Sequence, residues 1–237
     1  MTSTLTPLKQ PIALRTEYIT SHTTTIRVKQ HSNSWSGGDF TITKCPTDES
    51  PLAEKLFTVD GDFKSISQRR YFQDASGLPL FEIAHRRLGV TWFVHLPGGR
   101  ESTDSTPIAT IVPQWHALKD KFDVHLNNAA ANGEETILEV RGQDVFKSKT
   151  HVYHKGALVT AIKLKDMVSV YIPGKRPAWE LEVVEGMDLS LVLSSCLSYQ
   201  SYCGCADIVL QAAIIGVVLA TVLYQSSTLL LWVCWCP

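Results

Sequence analysis

Short segments in which apolar and polar residues alternate recur along most of this chain, and this rhythm restricts the fold more than any other feature. A period of two is typical of a strand with one buried and one exposed face. Turns that are rich in glycine, proline, aspartate and asparagine separate the segments. No window before the C-terminal tail shows helical periodicity over three turns. The segment Lys121–Asn127 illustrates the pattern, with three alternating apolar residues: Phe122, Val124 and Leu126.

About a dozen strands at this spacing indicate one all-β sandwich or barrel, and argue against a βαβ fold. The predicted strands are Thr23–Lys29, Phe40–Lys44, Leu56–Asp60, Arg70–Gln73, Leu80–Ala84, Val90–Leu96, Ile108–Val112, Lys121–Asn127, Thr136–Arg141, Thr150–His154, Ala157–Lys165, Met167–Tyr171 and Trp179–Val184.

The C-terminal tail, residues 189–237, differs from the rest of the chain in charge. Of the 22 basic and 23 acidic residues, only Asp207 lies in the tail. Asp207–Tyr224 is apolar on all sides, which suits either a membrane span or a helix buried on every face. As a helix, Ile208–Tyr224 would reach roughly 25 Å, short for a span, and it lacks flanking Lys or Arg. We therefore favour burial over a membrane span through 208–224.

The charge balance and the N-terminus restrict the class of protein further. A net charge of −1 argues against a dedicated nucleic-acid binder. Met1–Pro11 lacks the apolar region of a secretory signal, which favours a cytoplasmic location. Residues 1–22 read as a flexible leader, followed by one domain over 23–237. Only Cys45 lies outside the tail, so the domain before the tail cannot contain a disulfide framework.

The recurring enzyme signatures are absent, since the sequence contains no G-x-S-x-G, H-E-x-x-H, Walker A or G-x-G-x-x-G motif. His151 and His154 are three residues apart, and on a strand such residues point to opposite faces, which disfavours a metal pair. Asp60 and Asp62 flank a glycine and suit a β-turn better than a cation site. The sequence therefore predicts no catalytic, cofactor-binding or metal-ligating residue, and no cofactor.

A common rhythm of strands and turns links seven runs, which are 57–61, 70–83, 91–93, 122–125, 137–140, 168–172 and 183–192. Together these runs resemble the LURP-one-related family of the Tubby C-terminal-like superfamily. The likeness covers roughly residues 20–192 and consists of a rhythm of strands and turns. It implies a closed antiparallel barrel of about twelve strands around one hydrophobic C-terminal helix. The interior of a barrel of more than about eight strands is filled poorly by side chains alone, and an apolar helix can occupy the rest.

One segment departs from the family pattern. In relatives, the apolar helix follows directly after a segment like 186–192, whereas here residues 193–211 intervene. Removal of 193–211 would join Val192 to the apolar run 212–224 as one continuous helix. We hypothesise that 193–211 is a retained intron or a recent insertion, and that 212–224 is the core of the helix. Transcript sequencing that finds a continuous coding exon here would refute the intron version.

Small groups of basic residues are the candidate binding site. A solvated strand face is one interpretation, and a site for anionic lipid headgroups is the other, because clustered Lys and Arg attract phosphates. Lys163 and Lys165 lie on one face of their predicted strand. Tubby proteins, which are similar in fold, bind phosphoinositides through basic residues on the barrel, so the resemblance favours the lipid interpretation. The candidate contacts are Arg69, Arg70, Arg86, Arg87, Lys163, Lys165, Lys175 and Arg176.

The expected function is therefore that of a non-enzymatic binding or adaptor module, peripheral to a membrane through anionic phospholipid. A protein partner is also expected, but the sequence does not identify it, and no nucleic acid is expected. One alternative is a tail-anchored or scramblase-like membrane protein, since phospholipid scramblases belong to the same superfamily. A second alternative is an accessory enzyme of unknown reaction, for which a cleft joining His125 or His151 to a carboxylate would be the sign.

Overall fold

Twelve antiparallel strands account for most of the chain that the computed structural model describes, which is residues 4–31, 39–46, 52–62, 65, 68–85, 90–98, 106–114, 121–144, 148–165 and 176–194. The strands are β1 (Thr24–Gln30), β2 (Phe40–Lys44), β3 (Glu54–Gly61), β4 (Arg70–Asp74), β5 (Pro79–His85), β6 (Trp92–His95), β7 (Ala109–Gln114), β8 (Lys121–Asn128), β9 (Glu134–Gly142), β10 (Lys149–His154), β11 (Ala157–Leu164) and β12 (Ala178–Val183).

Each strand pairs with its neighbours in sequence, and β12 pairs with β1 to close the sheet into a barrel. Closure pairs both edges of each of the twelve described strands, which removes the edges that would otherwise template aggregation. The prediction of a closed barrel of about twelve strands is confirmed. The predicted strand Met167–Tyr171 lies outside the described residues. We call the end at which β1 begins and β12 ends the upper end of the barrel.

Alternate side chains of each strand fill the barrel interior. In β8, the inward residues Phe122, Val124 and Leu126 are almost completely buried, as the period of two predicts. On β4 and β5, the rings of Phe72 and Phe81 stack with centroids 4.5 Å apart. Aromatic pairs in this arrangement contribute attraction beyond the area that they bury.

The N-terminal segment 4–22, predicted as a flexible leader, lies as a strap across the upper end of the barrel. Ile12 and Ala13 are buried, and the Thr6 amide donates to the carbonyl of Leu158 at 2.8 Å. The Asn128 side chain accepts from the Ala13 amide at 2.9 Å and donates to the Pro11 carbonyl at 2.9 Å. The strap could not be predicted from the sequence, because the residues of the strap have no regular period and their hydrogen-bond partners lie on distant strands.

A helix begins at residue 189 and is described to residue 194. It directly follows Asp188, which accepts hydrogen bonds from the strap. All six of its residues are buried, as expected for a helix that is covered on every face. Asp188 is the N-cap residue, because its Oδ1 accepts from the Ser190 amide at 2.7 Å. The helix includes Leu193 and Ser194, the first two residues of the predicted insertion 193–211.

The remainder of the tail is not covered by this description. Contacts divide the chain into two units, Met1–Ser198 and Tyr199–Pro237, and the second lies outside the described residues. The assignments of 195–211 as an insertion, of 212–224 as the helix core and of 208–224 as a membrane span therefore stay predictions. Within the residues that the structure describes, no helix has both the length and the apolar character needed to cross a bilayer.

Gly186 connects β12 to the helix in a conformation that only glycine adopts without strain. Its φ is +86°, and an added Cβ would lie 3.4 Å from the Cβ of Leu8 in the strap. We predict that Gly186→Ala lowers the free energy of unfolding by about 1–2 kcal/mol.

The matched control for this prediction is Gly98→Ala. Gly98 has φ +72°, but nothing lies within 4 Å of an added Cβ, so only the backbone strain is shared. The contact with Leu8 at 3.4 Å is ordinary van der Waals contact, so urea unfolding should show similar losses for the two variants. A loss below about 0.5 kcal/mol for Gly186→Ala would contradict the prediction.

Candidate functional site: a basic surface on the barrel wall

The outer wall formed by β10, β11, β12 and β1 carries a concentration of exposed cations. Strand alternation brings them to the same face, since the residues between them point into the barrel. Antiparallel pairing then places cations of neighbouring strands side by side. We call this set the basic surface: Arg27, Lys29, Lys149, Lys163 and Lys165.

Within the basic surface, two lysines on neighbouring strands bring their positive charges close together. Lys149 on β10 and Lys163 on β11 are opposite each other in the register, and both are exposed. Side chains directly opposite each other in an antiparallel pair have Cβ atoms about 5 Å apart, and like charges at this distance destabilise the sheet. A bound anion would offset this repulsion.

One carboxylate lies within the basic surface. Glu180 on β12 is opposite Lys163 on one side and opposite Arg27 on the other. Glu180 also forms an ion pair with Lys165, which follows β11. Both side chains keep partial contact with solvent, with 29% of Glu180 and 44% of Lys165 exposed. The basic surface is therefore partly neutralised at this position.

His151 borders the basic surface on β10. Its ring Nδ1 lies 3.1 Å from the hydroxyl of Tyr153. Burial lowers the pKa of His151, and the neighbouring charge of Lys149 lowers it further. His151 is therefore mostly neutral at pH 7 and adds little positive charge to the basic surface.

The structure brings together some of the predicted lipid contacts. Lys163 and Lys165 belong to the basic surface, and the exposed Arg176 lies two residues before β12. Arg86, Arg87 and Lys175 lie outside the described residues.

The predicted contacts Arg69 and Arg70 do not belong to the basic surface. Arg70 is 6% exposed and points into the barrel, with its guanidinium 5.5 Å from the ring centre of Phe40 and 5.7 Å from that of Trp92. The expectation that Arg70 contacts a headgroup on the outer wall is thus corrected. The sequence contains a sign of this burial, since Arg70 lies two residues before the apolar Phe72 and therefore shares its face of the strand.

Arg69 lies beside β4, which β3 and β2 separate from β1. Its guanidinium NH1 lies 3.3 Å from the Tyr71 hydroxyl, a contact that raises the pKa of Arg69.

Three members of the basic surface were not predicted from the sequence: Arg27, Lys29 and Lys149. Their outward positions could have been read from strand alternation, but their proximity to Lys163 could not.

A histidine lies near a carboxylate on β8 and β9, which is one part of the predicted sign of an enzyme. His125 Nδ1 on β8 lies 3.6 Å from Glu135 Oε1 on β9, and the two side chains are 39% and 73% exposed on the outer wall. Across the ranges for which side chains are described, no three His, Cys, Asp or Glu side chains are grouped so that they could hold a metal ion.

Comparison with known proteins supports the identification of the fold. The model of the LURP-one-related family matches residues 24–200, about three quarters of the chain. An X-ray structure of a protein from Arabidopsis thaliana superposes with a TM-score of 0.55 at 17% sequence identity, covering 81% of this chain and 98% of that one. At this identity the likeness shows the fold alone. A search of curated proteins finds no significant match.

Proposed function

This chain belongs to the LURP-one-related family, and from that premise we propose that it is a non-enzymatic binding module whose basic surface binds anionic phospholipid headgroups. The family and the Tubby-like barrel support the binding module. The basic surface supports the choice of ligand, because lysines near a membrane attract the negative charge of the lipid surface.

The facing lysines Lys149 and Lys163 are the observation that carries the proposal. Two exposed ammonium groups on adjacent strands repel each other in the free protein. A phosphate between them accepts hydrogen bonds from both and removes the repulsion. A closed barrel also holds the strands of this wall in fixed register, so the two lysines are positioned before the ligand arrives.

The proposal is tested by cosedimentation with phosphatidylcholine vesicles that contain phosphatidylinositol bisphosphate. We predict that the double variant Lys149→Ala/Lys163→Ala binds about thirtyfold more weakly than the wild type, because each lysine near an anionic membrane contributes about 1 kcal/mol. The binding of the wild type should also weaken as salt is added, since salt screens exposed charges.

The matched control is the double variant Lys9→Ala/Lys121→Ala. It removes the same two charges from the strap and from β8, which β9 separates from the strands of the basic surface. We expect its binding to stay within about twofold of the wild type, because screening limits the reach of these charges to about one Debye length. Equal binding by both double variants, or no binding of the wild type to any anionic vesicle, would overturn the proposal.

A further inference from the structure

Glu180 lies between two cations of the basic surface in the register of the sheet. It is opposite Lys163 and Arg27 in the register and forms the ion pair with Lys165. Three cations of the basic surface thus have this one carboxylate as a neighbour. The second outward acid of β12, Glu182, has a different environment, because its partners in the register are Ala161 and Thr25.

The same charges also meet at Cys45, beside the end of β2. Burial is the main cause that raises the pKa of the Cys45 thiol, and Arg27, Glu180 and Lys165 act on it electrostatically as well. Arg27 and Lys165 lower the pKa of Cys45, and Glu180 raises it. This supports one local cluster of charge, in addition to the pairwise register.

We propose that Glu180 is an internal competitor for the ligand of the basic surface, holding Lys165, Lys163 and Arg27 partly neutralised until a more strongly charged surface displaces it. This inference rests on the proposed function. This ion pair is partly exposed and joins side chains only, so Lys165 can exchange Glu180 for a phosphate without unfolding any part of the barrel. The consequence is a threshold, because a sparsely charged membrane does not compete with Glu180, whereas a densely charged one does.

The variant Glu180→Gln tests the proposal, since it keeps the shape of the side chain and removes its charge. The probe is a series of phosphatidylcholine vesicles with a rising fraction of phosphatidylserine, in moderate salt. We expect Glu180→Gln to bind about fivefold more tightly than the wild type, because it removes one negative charge near the membrane surface and also releases Lys165 from its ion pair. Half-maximal binding should also move to a lower fraction of phosphatidylserine.

Glu182→Gln is the matched control, with the same change of charge on the same strand and the same face. We expect its affinity to rise less than about twofold, because no cation is opposite Glu182 and salt screens its more distant effect. An equal increase in the two variants would show that net charge alone matters and would overturn the inference.

The outcomes also separate this inference from the proposed function. If the wild type binds vesicles through Lys149 and Lys163 but Glu180→Gln binds no more tightly, the internal competitor is refuted and the lipid site stands. If Lys149→Ala/Lys163→Ala binds as the wild type does, the lipid site is refuted and the inference falls with it. Unchanged thermal unfolding of Glu180→Gln would show that the effect does not come from altered folding.

Discussion

Replacement of Asp188 by alanine is expected to lower the free energy of unfolding by about 3 kcal/mol. Asp188 is completely buried, and its carboxylate accepts four hydrogen bonds. Oδ2 accepts from the amides of Leu14 and Arg15 at 3.0 and 2.9 Å, while Oδ1 accepts from the amide and hydroxyl of Ser190, both at 2.7 Å. Alanine would leave these donors without their acceptor and remove the helix cap, so the strap and the helix would loosen together.

Denaturant unfolding of Asp188→Ala and of a nearby control, Glu185→Ala, checks this result. Glu185 is exposed in the turn between β12 and the helix, so its replacement should change stability by no more than about 0.5 kcal/mol. Ser190→Ala removes only one side-chain donor to Asp188 and should cost about 1 kcal/mol. Losses of similar size for Asp188→Ala and Glu185→Ala would show that the buried carboxylate does not hold the strap.

The pH dependence of stability gives a second measurement on Asp188. Burial raises the pKa of Asp188 from its ordinary value of 3.8, against the hydrogen bonds, which lower it. The folded protein therefore holds this proton more tightly than the unfolded chain. Its contribution to stability is present in full below the ordinary pKa and is lost as the pH rises through the raised one. Relative to Asp188→Asn, the wild type should lose stability as the pH rises above about 4; the opposite slope would contradict this.

Truncation of Phe72 is expected to cost more than any other change considered, about 4 kcal/mol in Phe72→Ala. Phe72 has no exposed surface and lies between two other buried aromatic residues of the barrel interior. Its ring centre is 4.5 Å from that of Phe81 and 6.4 Å from that of Phe57. Alanine would leave a cavity that the closed sheet cannot collapse to fill, because its neighbours are fixed by hydrogen-bonded strands on both sides.

Phe93→Ala is the control for this prediction, since Phe93 lies on the outward face of β6 and is only partly buried. Its loss should be about 1 kcal/mol, as it removes contact area without opening an interior cavity. Thermal or denaturant unfolding compares the two variants, and Phe72→Leu, with an expected cost of about 1.5 kcal/mol, provides a milder change at the same position. A larger loss for Phe93→Ala than for Phe72→Ala would contradict the assignment of the two faces.

Much of the barrel could be predicted from the sequence because alternation and turns are local properties. β2 begins and ends where the sequence predicts, at Phe40 and Lys44, and the apolar positions of β8 are the buried ones. The strap could not be predicted in this way. Its hydrogen bonds go to Asn128 and Asp188, which are far away in sequence, and a segment without a period gives no sign of where it docks.

The candidate site was predicted in part for the same reason. Lys163 was recognised as outward-facing from its own strand, because neighbouring residues of a strand alternate between faces. Lys149 joins it through the register of β10 and β11, and Glu180 joins it through the pairing of β11 and β12. Arg27 reaches the same surface only because β1, near the start of the chain, closes the barrel against β12.

The amino-acid sequence alone thus determined the strands, the face that each apolar residue occupies and the family to which the chain belongs, since all three follow from short-range patterns. The tertiary structure alone decided which charges meet. Register and closure fix the neighbours of Glu180, and the strap completes the hydrogen bonds of Asp188. The physical reason is that alternation acts over two residues, whereas the pairing of β1 with β12 joins positions that no local preference connects.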